Sequence, residues 1–165
     1  MTIAAGQTGG CQCGAIRYRL LGTPVALYAC HCRLCQQQSA SAFGMSMLVE
    51  RDAVAFSGAK PRVYLTSGDS GRRKHCAFCG ECGTRLYHAY HAYHAGDGAR
   101  STLSIKAGSL DDTSSLAPTC HLWARSAQPW VVPLLEDAVC FEEEPDSDET
   151  LRAQLRAAAA DASAR

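Results

Sequence analysis

Cys30-His31-Cys32-Arg33-Leu34-Cys35 places three thiols within six residues. The cluster follows an apolar extended run, residues 25–29, and precedes a short polar segment, Gln36-Gln37-Gln38. A disulfide between Cys30 and Cys32 would close a strained ring, because near neighbours seldom reach the Cα separation and dihedral that the bond needs. Three soft donors on a sharp turn suit Zn²⁺ instead, a d¹⁰ ion that takes thiolate readily and prefers four tetrahedral ligands. The set is one donor short of four. Structural zinc sites are closed, whereas catalytic ones keep a position for an outside ligand.

The chain has 165 residues, about one domain with a real core. Lys plus Arg equals Asp plus Glu at 16 each, so no overall basic field draws nucleic acid or anionic lipid. The densest basic run, Arg72-Arg73-Lys74-His75, reads as a solvated loop face. Residues 1–10 have neither a basic n-region nor an apolar h-region, and no apolar run approaches the ~20 residues of a membrane span. A cytoplasmic location is expected. Ten cysteines there point to metal binding or catalysis rather than to a disulfide framework.

Short extended runs separated by glycine turns recur along the chain. Ile16, Tyr18 and Leu20 alternate with Arg17 and Arg19 as in a half-buried strand. Similar runs are expected at residues 25–29, 42–49, 54–56, 62–65, 85–90, 102–107, 118–123 and 139–141. Residues 67–71 read as a plain loop. The expected fold class is all-β over residues 1–142, followed at 143–165 by an acidic linker and an Ala-rich tail, a short helix or frayed end outside the core.

Cys79-x-x-Cys82-Gly83-Thr84 has the spacing of a zinc knuckle, half of a tetrahedron. Cys11-x-Cys13, flanked by Gly9, Gly10 and Gly14, supplies a second half. Pairing the two makes a closed Cys₄ site and leaves Cys30, Cys32 and Cys35 as a separate three-donor set. Other partitions remain open at this level. Cys76, Cys79 and Cys82 resemble part of an iron–sulfur run, without the further cysteine or the Cys-Pro that such runs carry. Cys76, Cys120, His31, His75 or His121 would complete the three-thiol set as a second structural zinc, His121 foremost. Cys140 reads as a small buried hydrophobe, and the His88-Ala-Tyr-His91-Ala-Tyr-His94 repeat as a solvated or aromatic-packed surface.

Five motifs in order carry a resemblance. Gly10-Cys11-x-Cys13-Gly14, Cys30-His31-Cys32-x-x-Cys35, Phe78-Cys79-x-x-Cys82-Gly83-Thr84, Gly108-Ser109-Leu110-Asp111-Asp112 and Pro118-x-x-His121-x-Trp123 span roughly residues 8–142. The chain resembles the glutathione-dependent formaldehyde-activating enzyme family, to which the centromere protein V domain belongs. The resemblance implies a β-tent fold of small antiparallel sheets clamped by zinc. It implies two zinc sites, a structural one on Cys11, Cys13, Cys79 and Cys82 and a catalytic one on Cys30, Cys32 and Cys35. It also implies a carbon–sulfur lyase like S-(hydroxymethyl)glutathione synthase, which forms or cleaves the adduct of formaldehyde with glutathione.

Chemistry agrees with that expectation. Three thiolates make the metal a weak Lewis acid for water but a good partner for a fourth sulfur. His31 or His121 is the expected proton shuttle. Arg33 is the expected clamp for a glutathione carboxylate, because its fork matches that group. The alternative is a non-catalytic, zinc-stabilised interaction module with two structural zinc sites. The zero net charge disfavours a zinc-ribbon nucleic-acid binder.

Overall fold

The computed structural model describes residues 3–68, 71–90, 102–135 and 138–163. The described strands are β1 (Thr8–Gly10), β2 (Ile16–Leu20) and β3 (Ala26–Cys30), followed by helix α1 (Arg33–Ser39). Next come β4 (Gly44–Glu50), β5 (Val54–Gly58), β6 (Arg62–Ser67), β7 (Arg73–Phe78), β8 (Arg85–Tyr90) and β9 (Thr102–Lys106). Short β10 (Cys120–Leu122) and β11 (Val139–Cys140) precede helix α2 (Asp148–Ser163). The protein is mostly β, as the alternating runs predict, with the small sheets that the family resemblance implies. His91 and His94 lie outside the described residues, and no described helix is long and apolar enough to cross a membrane.

The chain forms two compact units, Met1–Val25 with Ser46–Ala117 and Ala26–Met45 with Pro118–Arg165. In the first unit β1, β2 and β5 make a three-stranded antiparallel sheet, with Gly9 opposite Tyr18 and Tyr18 opposite Phe56. Gly9 is required there, since a Cβ would meet the Ser109 carbonyl and the Tyr18 hydroxyl, each at 2.4 Å. Ile16, Tyr18 and Leu20 are all buried while Arg19 is exposed, so the period of two in the sequence is the burial pattern of the strand. The hydroxyls of Tyr18 and Ser109 are 3.0 Å apart, and burial pushes the phenol up to about 12.

The same unit carries the antiparallel order β4-β9-β8-β7-β6. Ser46, Met47, Leu48 and Val49 of β4 are all buried, on both faces of the strand. The basic run differs from its expected place in a loop. Arg73 and Lys74 open β7, and Lys74 is buried with its Nζ 5.1 Å from the Tyr90 ring. Arg72 stacks on the same ring at 4.9 Å. Aromatic cover of the lysine and arginine stems overrides the solvent preference that their charge suggests.

The second unit is built on parallel pairing, where antiparallel sheets are expected. β10 lies parallel to β3, with Cys120 opposite Tyr28, His121 opposite Ala29 and Leu122 opposite Cys30. β11 joins β10 on its other side, also parallel. Cys140 on β11 is exposed, not buried, with its Sγ 3.7 Å from the Leu135 carbonyl, because β11 is only two residues long and ends the sheet. The C-terminal tail is helical as α2. Thr150 N–H donates to Ser147 Oγ at 3.1 Å, and Asp148 and Glu149 occupy the first turn. Leu151 is buried, so α2 is held to its unit on one side rather than lying wholly in solvent.

Candidate metal centres

Cys11, Cys13, Cys79 and Cys82 converge, their sulfurs all within 4.8 Å of one another. Two matched turns bring them together. Cys11 N–H donates to the Ile16 carbonyl and Gly14 N–H to the Cys11 carbonyl; Cys79 N–H donates to the Thr84 carbonyl and Gly83 N–H to the Cys79 carbonyl. Gly14 and Gly83 end these turns at φ +79° and +74°, a left-handed conformation that glycine adopts freely. Ile16 N–H donates to Cys11 Sγ at 3.2 Å, and Thr84 Oγ1 lies 3.2 Å from Cys82 Sγ while accepting from Gln12 N–H at 3.1 Å. The Thr84 hydroxyl and amide and the Cys13 amide hold the Cys82 thiol down to about 5, which favours the thiolate form that binds a cation.

The donor set fits zinc. Sulfurs bound at 2.3 Å in a tetrahedron lie about 3.8 Å apart. Here Cys11 Sγ is 3.5 Å from Cys13 Sγ, which is 3.7 Å from Cys79 Sγ. Cys76 does not join this group; it is buried within β7, opposite His88.

Cys30, Cys32 and Cys35 form the second group, again within 4.8 Å, and all three are buried. Cys30 ends β3. Cys32 is the N-cap of α1, where its Sγ accepts from Cys35 N–H at 3.4 Å, and Cys35 sits in the first helical turn. The knuckle is thus a strand-to-helix turn, a helix that the glutamine run conceals in the sequence. Among the described residues no fourth His, Cys or carboxylate atom lies within that spacing, so the candidates Cys76, Cys120, His31, His75 and His121 are not part of the set. The Cys32 and Cys35 thiols, and then burial, push the Cys30 thiol well up. Contact with Cys30 lowers Cys32, but Cys35 and burial outweigh it. Three adjacent buried thiols do not ionise together unless a cation offsets the charge, and a soft divalent ion does so.

Two features around this turn carry no sequence signal. Gln36 donates from Nε2 to the His31 carbonyl at 2.7 Å and to the Ser126 carbonyl at 3.1 Å, tying the helix to the knuckle. Gly44 lies against Cys35, and a Cβ there would stand 3.3 Å from Cys35 Cβ.

His31 is fully buried and His121 half-buried. His31 Nε2 is 3.0 Å from His121 Nδ1, and the Phe43 ring packs edge-on against His31. Burial lowers the pKa of both, and for His31 the neighbouring His121 adds to it. Arg33 is exposed at the first residue of α1. Trp123 is buried with a left-handed backbone at φ +59° and Arg125 stacked on it at 5.0 Å. Cys120 is a core thiol that burial pushes up to about 12. His88 is buried rather than solvated, its Nδ1 3.2 Å from Lys106 Nζ and its ring edge-on to Tyr90.

A crystal structure of a Rhodobacter sphaeroides protein is similar over 81% of this chain and 99% of its own, at 14% identity and a TM-score of 0.47. No curated protein matches the chain. The glutathione-dependent formaldehyde-activating enzyme family matches residues 6–126, a span that holds all seven cysteines of the two clusters. The chain therefore belongs to the glutathione-dependent formaldehyde-activating enzyme family.

Proposed function

We propose that the protein is a zinc-dependent carbon–sulfur lyase that forms or cleaves the adduct of a small aldehyde with a low-molecular-weight thiol. Formaldehyde and glutathione, named by the family, are the expected pair. The observation that carries this reading is the asymmetry of the two cysteine groups, four converging thiols in one and three in the other. The four-thiol group has the composition of a closed structural site, and the three-thiol group that of a site which takes an outside ligand.

When bound, zinc supplies a soft cationic centre at which an incoming thiol loses its proton. The chain's own residues do the rest. Cys30, Cys32 and Cys35 would hold the ion, with Cys32 at the N-cap and Cys35 in the first turn of α1. The His31–His121 pair is neutral at ordinary pH, so it can accept the thiol proton and return it to the aldehyde oxygen as the C–S bond forms. His121 is the partly exposed member and reaches the solvent side. Arg33, exposed beside the knuckle, offers a guanidinium fork to a carboxylate of the thiol. A cytoplasmic location, where free thiols abound, goes with this reading.

The reaction is tested by exchange NMR of ¹³C-formaldehyde with its glutathione adduct. The zinc protein accelerates exchange, and Cys32→Ser abolishes the acceleration. Exchange at the uncatalysed rate in the wild type contradicts the proposal.

A further inference from the structure

Arg85 opens β8 opposite Phe78 of β7. Its Nε and Nη2 are both buried, and neither has a hydrogen-bond partner among the described residues. These two nitrogens form one edge of the guanidinium, the edge whose parallel N–H groups match the two oxygens of a carboxylate. Folded chains seldom leave such donors buried and unsatisfied, since the charged group has given up water and gained nothing in return. An orphaned fork of this kind points to a partner from outside the chain.

The surrounding charge has the sign such a partner needs. Lys106 Nζ lies 3.2 Å from both His88 Nδ1 and Ser46 Oγ, and Lys74 is buried against Tyr90. The charged groups that act on His88 are Lys106, Lys74 and Arg85, all cations, and with burial they keep its imidazole neutral. An anion entering this part of the first unit meets a positive field and no opposing charge from His88.

We propose that a small-molecule carboxylate binds in the first unit, held bidentate by Nε and Nη2 of Arg85. A carboxylate matches the fork in shape, two coplanar oxygens against two parallel N–H groups, and neutralises its single charge one for one. The site requires neither a metal nor a thiol and stands apart from the role given to Arg33.

The test uses the zinc-loaded protein labelled with ¹⁵N-arginine. It is titrated with S-methylglutathione, which keeps both carboxylates but has no free thiol, with the diethyl ester of that compound, and with inorganic phosphate. The Arg85 Nε–H resonance, assigned by its loss in Arg85→Lys, shifts and saturates with the acid and stays fixed with the ester and with phosphate. In calorimetry Arg85→Lys binds the acid at least tenfold more weakly than the wild type. Equal response to acid and ester, response to phosphate alone, or wild-type affinity in Arg85→Lys overturns the proposal. Calorimetry of the wild type with the acid and with the ester needs no variant and no assignment, so that comparison stands even if Arg85→Lys does not fold. A cobalt-substituted protein that responds to glutathione while Arg85 stays silent overturns this site and leaves the lyase reading intact. The converse result does the opposite.

Discussion

His31 Nε2 lies 3.0 Å from His121 Nδ1, with the two rings stacked at an interplanar angle of 22°. One nitrogen donates and the other accepts, so the pair shares a single proton between ring atoms. The parallel register of β3 and β10 sets this contact, and His31 N–H donating to the Leu122 carbonyl extends it past the end of β3. His121→Gln is expected to slow adduct exchange by about 10²-fold or more while leaving thermal stability nearly unchanged. His31→Ala removes a fully buried ring and is expected to cost about 2–4 kcal/mol of stability by the cavity it leaves against Phe43. Unaltered exchange in His121→Gln would reduce the pair to packing.

The two cysteine groups should respond differently to loss of one sulfur. A structural zinc contributes on the order of 10 kcal/mol, comparable with the whole stability of a typical domain. Cys79→Ser is therefore expected to abolish the cooperative thermal transition. Cys32→Ser is expected to keep it and to lose exchange activity. Equal collapse of both variants in circular dichroism would sink the division of labour.

Gly44 tests how tightly the three-thiol turn is held. A Cβ at 3.3 Å from Cys35 Cβ obliges one of the two to give by a few tenths of an ångström. Gly44→Ala is expected to weaken metal binding at the three-thiol set about tenfold, the lower range for residues that position ligands. Chelator competition should show the four-thiol set unchanged. Loss at both sets would mean a global effect rather than a local push on Cys35.

Acid sensitivity should come in part from His88. Burial, then Lys106, Lys74 and Arg85, hold its pKa well below the ordinary value. The unfolded chain takes up this proton near pH 6.5 while the folded chain does not, so the His88 contribution is at full strength above about pH 6.5. It is lost as pH falls toward the folded pKa, by at most about 1.4 kcal/mol per pH unit. His88→Gln removes the titration, and its stability should fall less than that of the wild type between pH 7 and 5. Both chains carry the same cysteines, so the difference in urea midpoints isolates His88. Parallel pH profiles would contradict the assignment.

Local chemistry made much of this protein legible. Cys11, Cys13, Cys79 and Cys82 were readable because each pair sits beside a glycine that the turn requires, and Ile16, Tyr18 and Leu20 because strand burial repeats every two residues. What escaped depends on contacts far along the chain. Nothing near His121 says that its strand runs parallel to β3 and delivers it to His31. Lys74 looked solvated until Tyr90, on the neighbouring strand, gave its stem a cover. The start of α1 was hidden because a cysteine thiol, not the usual serine or aspartate, caps it. Arg85 shows no signal at all in one dimension, since an unpaired fork is visible only once every neighbour is in place.

The account rests on a three-thiol set that takes a sulfur from outside the chain. Cobalt substitution reads this directly, because thiolate-to-cobalt charge transfer and ligand-field bands report the number of sulfurs on the ion. Two cobalt ions per chain are expected, and glutathione should strengthen the charge-transfer band at one of them, in the wild type but not in Cys32→Ser. Two ions whose spectrum glutathione leaves unchanged would contradict the account and mark both cysteine groups as structural.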